Sequence, residues 1–355
     1  MPAHSTVFER RQPDPGLVDA ALAGVRDSCF WIDDVAGATR FEPLTGNHAA
    51  DLAVVGGGYT GLWTAVRAKQ RDPGRRVVLL EGNRLGWAAS GRNGGFCSAS
   101  LTHGSENGRS RWPDEYDELV RLGDANLAAI AATVRDFAMD VDFDLAGVLA
   151  VAVEPHQVGW LREAAEAGEG RFLDEAAVRA QVNSPTYLAG LASDDDALLH
   201  PAKMVHELAG VAVELGVEIV EGTPVRSVRS DRGPGPVEVV TERGTVRAEQ
   251  VALGTNVFPA LVRRFRPFTV PVYDCVVMTE PLSTEQLDAI GWASRQGIDD
   301  PANQFHYYRL SADNRILFGG YDAIYRYGKG VDPRHEQQPE THRRLVSHLL
   351  TTFPQ

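Results

Sequence analysis

The stretch Gly56-Gly57-Gly58-Tyr59-Thr60-Gly61 is where residue type and spacing most directly dictate chemistry in this chain. It fits G-x-G-x-x-G, and each glycine has a steric reason. Gly56 turns tightly, Gly58 admits a pyrophosphate against bare backbone, and Gly61 lets a helix close on a strand. The free N–H groups and partial positive charge of the helix terminus then face that pyrophosphate. In a chain with 35 glycines the motif alone is a weak signal. Its surroundings strengthen it. Leu52-Ala53-Val54-Val55 precedes it as a buried parallel strand, a helix is expected from Thr60 to about Gln70, and Val77-Val78-Leu79-Leu80 follows as a second buried strand. That strand closes on Glu81, twenty residues beyond Gly61, the spacing of a carboxylate that binds ribose hydroxyls.

Such a βαβ unit suits NAD and FAD alike, and the segment after Glu81 separates them. Gly82 and then Gly86-Trp87-Ala88-Ala89-Ser90-Gly91-Arg92-Asn93-Gly94-Gly95 form a second loop of small residues. Ser90, Gly91, Arg92, Asn93, Gly94 and Gly95 offer further N–H groups, a guanidinium and a hydroxyl to the same pyrophosphate and to a flat ring system beyond it. A nicotinamide site would not need this loop here, so FAD is the expected cofactor.

The elements that must position these residues read as follows. Residues 1–50 look like an extension punctuated by Pro13, Pro15, Gly16, Pro43 and Gly46, whose apolar Cys29-Phe30-Trp31-Ile32 docks on the body. Residues 114–138 have amphipathic helical spacing, Val148–Val153 a strand pattern, 155–182 a helical pattern, and Leu198–Pro201 introduces a helix through Leu215. Three short strand-like runs at 225–229, 237–240 and 245–253, one turn being Gly233-Pro234-Gly235-Pro236, suggest a small antiparallel meander. Val270–Thr279, Phe305–Leu310 and Arg315–Phe318 suggest a separate sheet, with Ser311–Asn314 as a hairpin turn.

Composition narrows the function classes. A net charge of −13 repels nucleic acid and anionic lipid. No apolar run reaches the ~18 residues of a membrane span and the amino terminus lacks a signal-peptide core, so a cytoplasmic location is expected. Cys29, Cys97 and Cys275 are far apart, odd in number and unlike a metal site.

The segments DLAVVGGGYTGLWTA (51–65), VVLLEGNRLGWAASGRNGGF (77–96), LLHPAKMVHELAGVAVELGVEIVEGTPV (198–225), VALGTNVF (251–258) and RLSADNRILFGG (309–320) together resemble the FAD-dependent oxidoreductases of the D-amino-acid oxidase type, the family of glycine, sarcosine and γ-glutamylputrescine oxidases. Trp31-Ile32-Asp33 and the wording of Ser90–Phe96 are most similar to the γ-glutamylputrescine oxidase group. The resemblance implies an α/β fold: a Rossmann-like FAD-binding domain (51–139 and 198–261) interleaved with an α+β substrate domain (140–197 and 262–330) that has a mainly antiparallel sheet. It also implies that the backbone of Val225 meets the adenine.

The implied reaction is oxidation of the C–N bond of an amine, by hydride transfer to the flavin, with oxygen or another acceptor taking the electrons. The cofactor carries the difficult step, so no catalytic residue is demanded. His103 after the second loop, and Phe305, Tyr307 and Arg309 on one face of a strand, are the candidates for lining the substrate cavity. His306 and Tyr308 take the other face. Relatives that oxidise α-amino acids often place a tyrosine where Phe305 stands, and a phenyl ring cannot donate that hydrogen bond, which favours an amine. Arg309 has the alternative of a hairpin-edge charge paired with Asp313 or Asp322. Relatives also run past Gln355, so residues 331–355 are expected to begin a truncated carboxy-terminal FAD-domain segment. The alternatives are a catalytically silent FAD-binding fragment and an oxidoreductase of small amino acids.

Overall fold

The computed structural model describes residues 5–230, 235–258 and 260–355. Two sheets organise it. The first has six strands in the order 217–220, 77–80, 48–55, 245–253, 237–241, 225–229. The first four are mutually parallel, and the last two continue from Thr245–Leu253 as an antiparallel meander. Val54, Val77 and Leu79 are buried on one face, and Ala53, Val55, Val78 and Leu80 on the other. A strand covered on both sides reads as an unbroken apolar run, which is why these segments were legible. Gly233 and Pro234 of the expected meander turn lie outside the described residues.

Helix Tyr59–Arg71 leaves strand His48–Val55 through the glycine motif. It packs with helix Pro201–Glu214 over the parallel strands, burying Leu62, Val66, Val205 and Leu208. The second sheet has seven strands in the order 276–278, 316–320, 306–310, 297–299, 148–152, 189–193, 171–174. Only the pair 297–299 with 148–152 is parallel.

Several expectations change in detail. The helical pattern over 155–182 resolves into helices Pro155–Glu166 and Glu175–Gln181 around a strand, Arg171–Asp174. The run Val270–Thr279 is broken into Val272–Tyr273, on a separate two-stranded sheet, and Val276–Met278. Helix Pro339–Thr352 buries Leu345 and Leu349, with Phe353 after it, in the core behind the second sheet, among Leu149, Tyr308 and Phe318. The amino-terminal extension joins that core too: Phe8 stacks on His348 at 4.4 Å. Trp31, on the short helix Phe30–Asp34, is buried against Ala202 and Leu317.

Candidate active site

The glycine motif has the geometry that its spacing predicts. Gly56 has φ +106°, and a Cβ there would lie 2.4 Å from the carbonyl oxygen of Gly254. A Cβ on Gly61 would lie 1.9 Å from the carbonyl oxygen of Gly56, and one on Gly57 2.3 Å from Leu85 Cδ2. At Gly58 the added atom would meet Ser90 Oγ at 2.8 Å. The groove between the motif and the second loop therefore admits only bare backbone on the motif side, which is the cradle a pyrophosphate needs. Thr60 follows in the first turn of the helix that opens there.

Glu81 is buried at the end of its strand and faces this groove. Its Oε2 accepts from the Gly57 N–H at 2.7 Å, and its Oε1 from the Asn83 N–H at 2.8 Å and from Trp87 Nε1 at 3.0 Å. Three donors hold the carboxylate in place beside the motif. The carbonyl of Glu81 accepts from Thr223 N–H at 2.9 Å. Gly82 packs against Pro224, where a Cβ would lie 3.5 Å from the proline Cα. This brings Val225, the first residue of its strand, to the same end of the sheet.

The second loop is partly helical, over Ala89–Arg92. Ser90 Oγ accepts from the Tyr59 N–H at 3.1 Å and so ties the two loops together. Gly91 is pressed to 2.0 Å, measured from an added Cβ, against the carbonyl oxygen of Gly86. The Asn93 amide is committed within the loop, donating to the carbonyls of Ala89 and Ser90 at 3.0 Å each and accepting from the Gly95 N–H at 2.9 Å. Arg92 pairs with Glu336 at 2.7 Å, while its Nε is buried with no hydrogen-bond partner. An orphaned guanidinium N–H beside a backbone cradle suits an anionic cofactor.

Beyond the loops lies an open cleft of about 3360 Å³, bounded by the second loop, the second sheet and residues 20–34 of the extension. Ordinary small-ligand pockets measure roughly 300–1,000 Å³, so this cleft has room for a dinucleotide and a second molecule together. Of the expected residues, Tyr59, Arg92, Asn93, Gly94, His103, Phe305 and Tyr307 line it. Glu81, Gly82, Ser90, Gly91, Gly95 and Val225 lie behind its walls. His103 sits exposed at φ +54°, at the rim.

Arg309 is placed otherwise than expected. Its strand alternates as the sequence indicates, but the Trp31 ring covers the guanidinium, with Cζ 5.8 Å from the ring centroid. The side chain is 4% exposed, and Nη1 donates to the carbonyls of Leu199 at 2.7 Å and Gly95 at 3.0 Å. Burial lowers its pKa to about 10, which still leaves it charged at neutral pH. It is paired with neither alternative partner: Asp313 binds Arg315, and Asp322 binds Arg344. Arg309 thus joins the second sheet to the second glycine loop instead of lining the cleft.

Two acids that the sequence reading passed over do line it. Asp274 accepts from Tyr307 Oη at 2.5 Å, and burial raises its pKa. Asp299, near the end of strand Gly297–Asp299, has its pKa raised to about 7 by burial, reinforced by the charges of Asp300 and Asp196. The available signal for Asp274 was a lone acid within the apolar strand-like run Val272-Tyr273-Asp274-Cys275-Val276, whereas Asp299 is followed by Asp300 and Pro301 and had no such signal.

Comparison with known proteins decides the family. Residues 51–355 match the family described as DAO, FAD dependent oxidoreductase. The chain belongs to this family. It is 30% identical to the γ-glutamylputrescine oxidoreductase of Escherichia coli K12 over 336 residues, covering 89% of this chain and 72% of that protein. It is also 30% identical to a probable oxidoreductase, OrdL, of Haemophilus influenzae, covering 79% of this chain and 67% of that protein. Among solved structures, glycine oxidase from Geobacillus kaustophilus superposes with a TM-score of 0.69 at 19% identity, covering 86% of this chain and 79% of that one. The fold is that of the family, and the protein is an FAD-dependent oxidoreductase. Among the described residues no helix is long and apolar enough to cross a membrane.

Proposed function

We propose that this DAO-family oxidoreductase oxidises the C–N bond of a cationic amine, of the class of a polyamine derivative such as γ-glutamylputrescine, and that oxygen or another acceptor takes up the electrons. Bound FAD supplies the two-electron oxidising centre. The chain's own residues then have positional roles. The backbone of Gly56–Gly58 and the helix terminus at Tyr59 hold the pyrophosphate, Glu81 holds the ribose, and the Gly82–Pro224–Val225 corner receives the adenine. Arg92 and the Asn93–Gly94 turn, which packs on Tyr307, would border the ring.

The observation that carries the amine reading is the charge of the cleft. Its lining includes fourteen Asp and Glu residues against five Arg and no Lys, a field that favours a molecule of net positive charge over a neutral zwitterion or an anion. On the second sheet's wall the one arginine, Arg315, is paired with Asp313 at 2.7 Å. The polar groups beside Tyr307 there are acids. The identity shared with a relative whose name specifies γ-glutamylputrescine supports the same class.

The test is anaerobic bleaching of the FAD-loaded full-length gene product by a panel of amines and amino acids. γ-Glutamylputrescine or another diamine derivative is expected to bleach the flavin faster, at equal concentration, than glycine, sarcosine or D-alanine. Flavin that is bleached by amino acids and by no amine overturns the reading. Peroxide release on admitting air would then assign oxygen as the acceptor.

A further inference from the structure

One row of residues crosses the cleft face of the second sheet. Val276 is in register with Gly319, Gly319 with Tyr307, Tyr307 with Asp299, and Asp299 with Ala150. Directly paired residues point to the same side of a sheet, and Val276, Tyr307, Asp299 and Ala150 all line the cleft. Gly319 and Ala150 are small. The row therefore presents a tyrosine and an adjacent carboxylate standing above low flanks. Gly94, of the second glycine loop, packs on the same tyrosine: a Cβ on Gly94 would lie 2.7 Å from Tyr307 Cε2. The carboxylate thus stands on the wall that faces the second glycine loop.

Asp299, unlike Asp300 and Asp274, has no donor. Asp300, turned to the opposite side, accepts from the His306 N–H at 2.9 Å and lies 3.3 Å from His306 Nδ1. Asp274 is held by Tyr307 Oη, whereas Asp196 Oδ1 is buried without a hydrogen-bond partner. Asp299 has neither a hydrogen bond nor an ion pair among the described residues, and its neighbours on the sheet are a tyrosine already committed to Asp274 and an alanine. Asp299 is partly exposed to the cleft, and a carboxylate there without a donor gains from meeting a cationic ligand.

We propose that Asp299 receives the substrate's ammonium group, forming its ion pair and then accepting one of its protons, with Tyr307 as a positioning residue fixed by Asp274. The step breaks one N–H bond of the ammonium and forms one O–H bond on the carboxylate. The nitrogen keeps the electron pair, and nothing is oxidised. The neutral amine so produced is the form able to lose a hydride from the carbon beside it. The groups facing this carboxylate are Asp196 from the hairpin strand Asp196–Leu198, Asp300 on its own chain segment, Tyr307 from the neighbouring strand, and Asp274 behind that tyrosine. Burial, with the charges of Asp300 and Asp196, favours a proton on Asp299 and raises its pKa to about 7. A group titrating there takes a proton efficiently near neutral pH.

The proposal rests on the amine reading above, and the experiment separates the two. FAD-loaded full-length wild type, Asp299→Asn and Asp299→Glu are compared by stopped-flow anaerobic bleaching with γ-glutamylputrescine and putrescine, from pH 5.5 to 9.5. Asp299→Asn should raise the concentration needed for half-maximal bleaching at least tenfold and remove the lower inflection of the rate–pH profile. Asp299→Glu should keep that inflection. Flavin absorbance and FAD retention should be unchanged in both, because Asp299 lies outside the cradle. Wild type that bleaches with amines while Asp299→Asn matches it within twofold at every pH overturns the Asp299 assignment and leaves the amine reading standing. Wild type that no amine bleaches overturns both. If Asp299→Asn does not fold, the wild-type and Asp299→Glu profiles decide, and absence of a lower inflection from both overturns the assignment.

Discussion

At the scale of single residues the glycine motif was legible because its first and last glycines, Gly56 and Gly61, are closed to a side chain by backbone. Gly61 is the clearest instance. Its missing Cβ would sit 1.9 Å from the carbonyl oxygen of Gly56, which belongs to the turn itself and cannot move aside. Gly61→Ala should destabilise the protein by about 1–3 kcal/mol, as overpacking does, and strip it of FAD. Normal flavin content and an unchanged Tm in that variant would contradict the close approach. Arg309 was legible only as to its strand face. Its partners, the carbonyls of Gly95 and Leu199, and its cover, Trp31, come from remote segments that no local pattern announces. Because it leaves the buried carbonyls of Gly95 and Leu199 without a donor, Arg309→Met should cost roughly 1–3 kcal/mol and loosen the second glycine loop. Lysine should rescue poorly, since a point charge cannot reproduce the planar fork. The ranking of substrates by the surviving enzyme should not change. A variant that kept its stability but lost selectivity among carboxylate-bearing substrates would return Arg309 to the substrate's side.

Among elements, buried parallel strands and helices with a strong start signal were readable, and short or broken strands were not. Arg171–Asp174 has one buried residue, Leu173, between exposed ends, so its period is hidden by the helices on either side. Val270–Thr279 looks continuous in sequence, yet Asp274 and Cys275 separate two strands that belong to different sheets. The extension is the element that sequence most undervalued. Helix Phe30–Asp34 is too short to be stable alone and owes its place to packing. Trp31 supplies that packing, edge-on to His200 at 4.5 Å and over Arg309, with 3% of its surface exposed. Trp31→Ala should cost about 3–5 kcal/mol and uncover the Arg309 guanidinium. Proteolysis should then cut first within residues 20–34, which wall the cleft. A variant cleaved no faster there than wild type would mean that the extension is anchored elsewhere.

Over the whole molecule, two buried groups act against each other as pH changes. His348 is held neutral: burial, with the neighbouring His306 and Arg344, lowers its pKa to about 3. It lies 2.9 Å from His306 Nε2, and if His306 donates from Nδ1 to Asp300, that Nε2 is the acceptor and His348 Nδ1–H the donor. Unfolding frees His348 to take a proton near pH 6.5, so its contribution is present above that pH and is lost as pH falls towards 3. Asp299 has the opposite sign. Its folded pKa is raised from 3.8 to about 7, so its contribution is complete below pH 3.8 and is lost as pH rises through 7. Between pH 6.5 and 4 the folded state has a proton on Asp299 that the unfolded chain gives up, while the unfolded chain has one on His348 that the folded state refuses. The two slopes cancel in that window. Asp299→Asn removes one of them, and the other carboxylates contribute equally to variant and wild type. The difference between the two stability curves, taken from urea denaturation at half-unit steps, should therefore isolate Asp299. At pH 8 the variant should be the more stable by roughly 2 kcal/mol, a figure reduced for partial access to solvent. That advantage should shrink as pH falls, with a limiting slope of about 1.4 kcal/mol per pH unit, and be gone near pH 4. Parallel curves would show that Asp299 titrates alike in the folded and unfolded chains, and would remove the electrostatic cost that makes it fit to meet a cation.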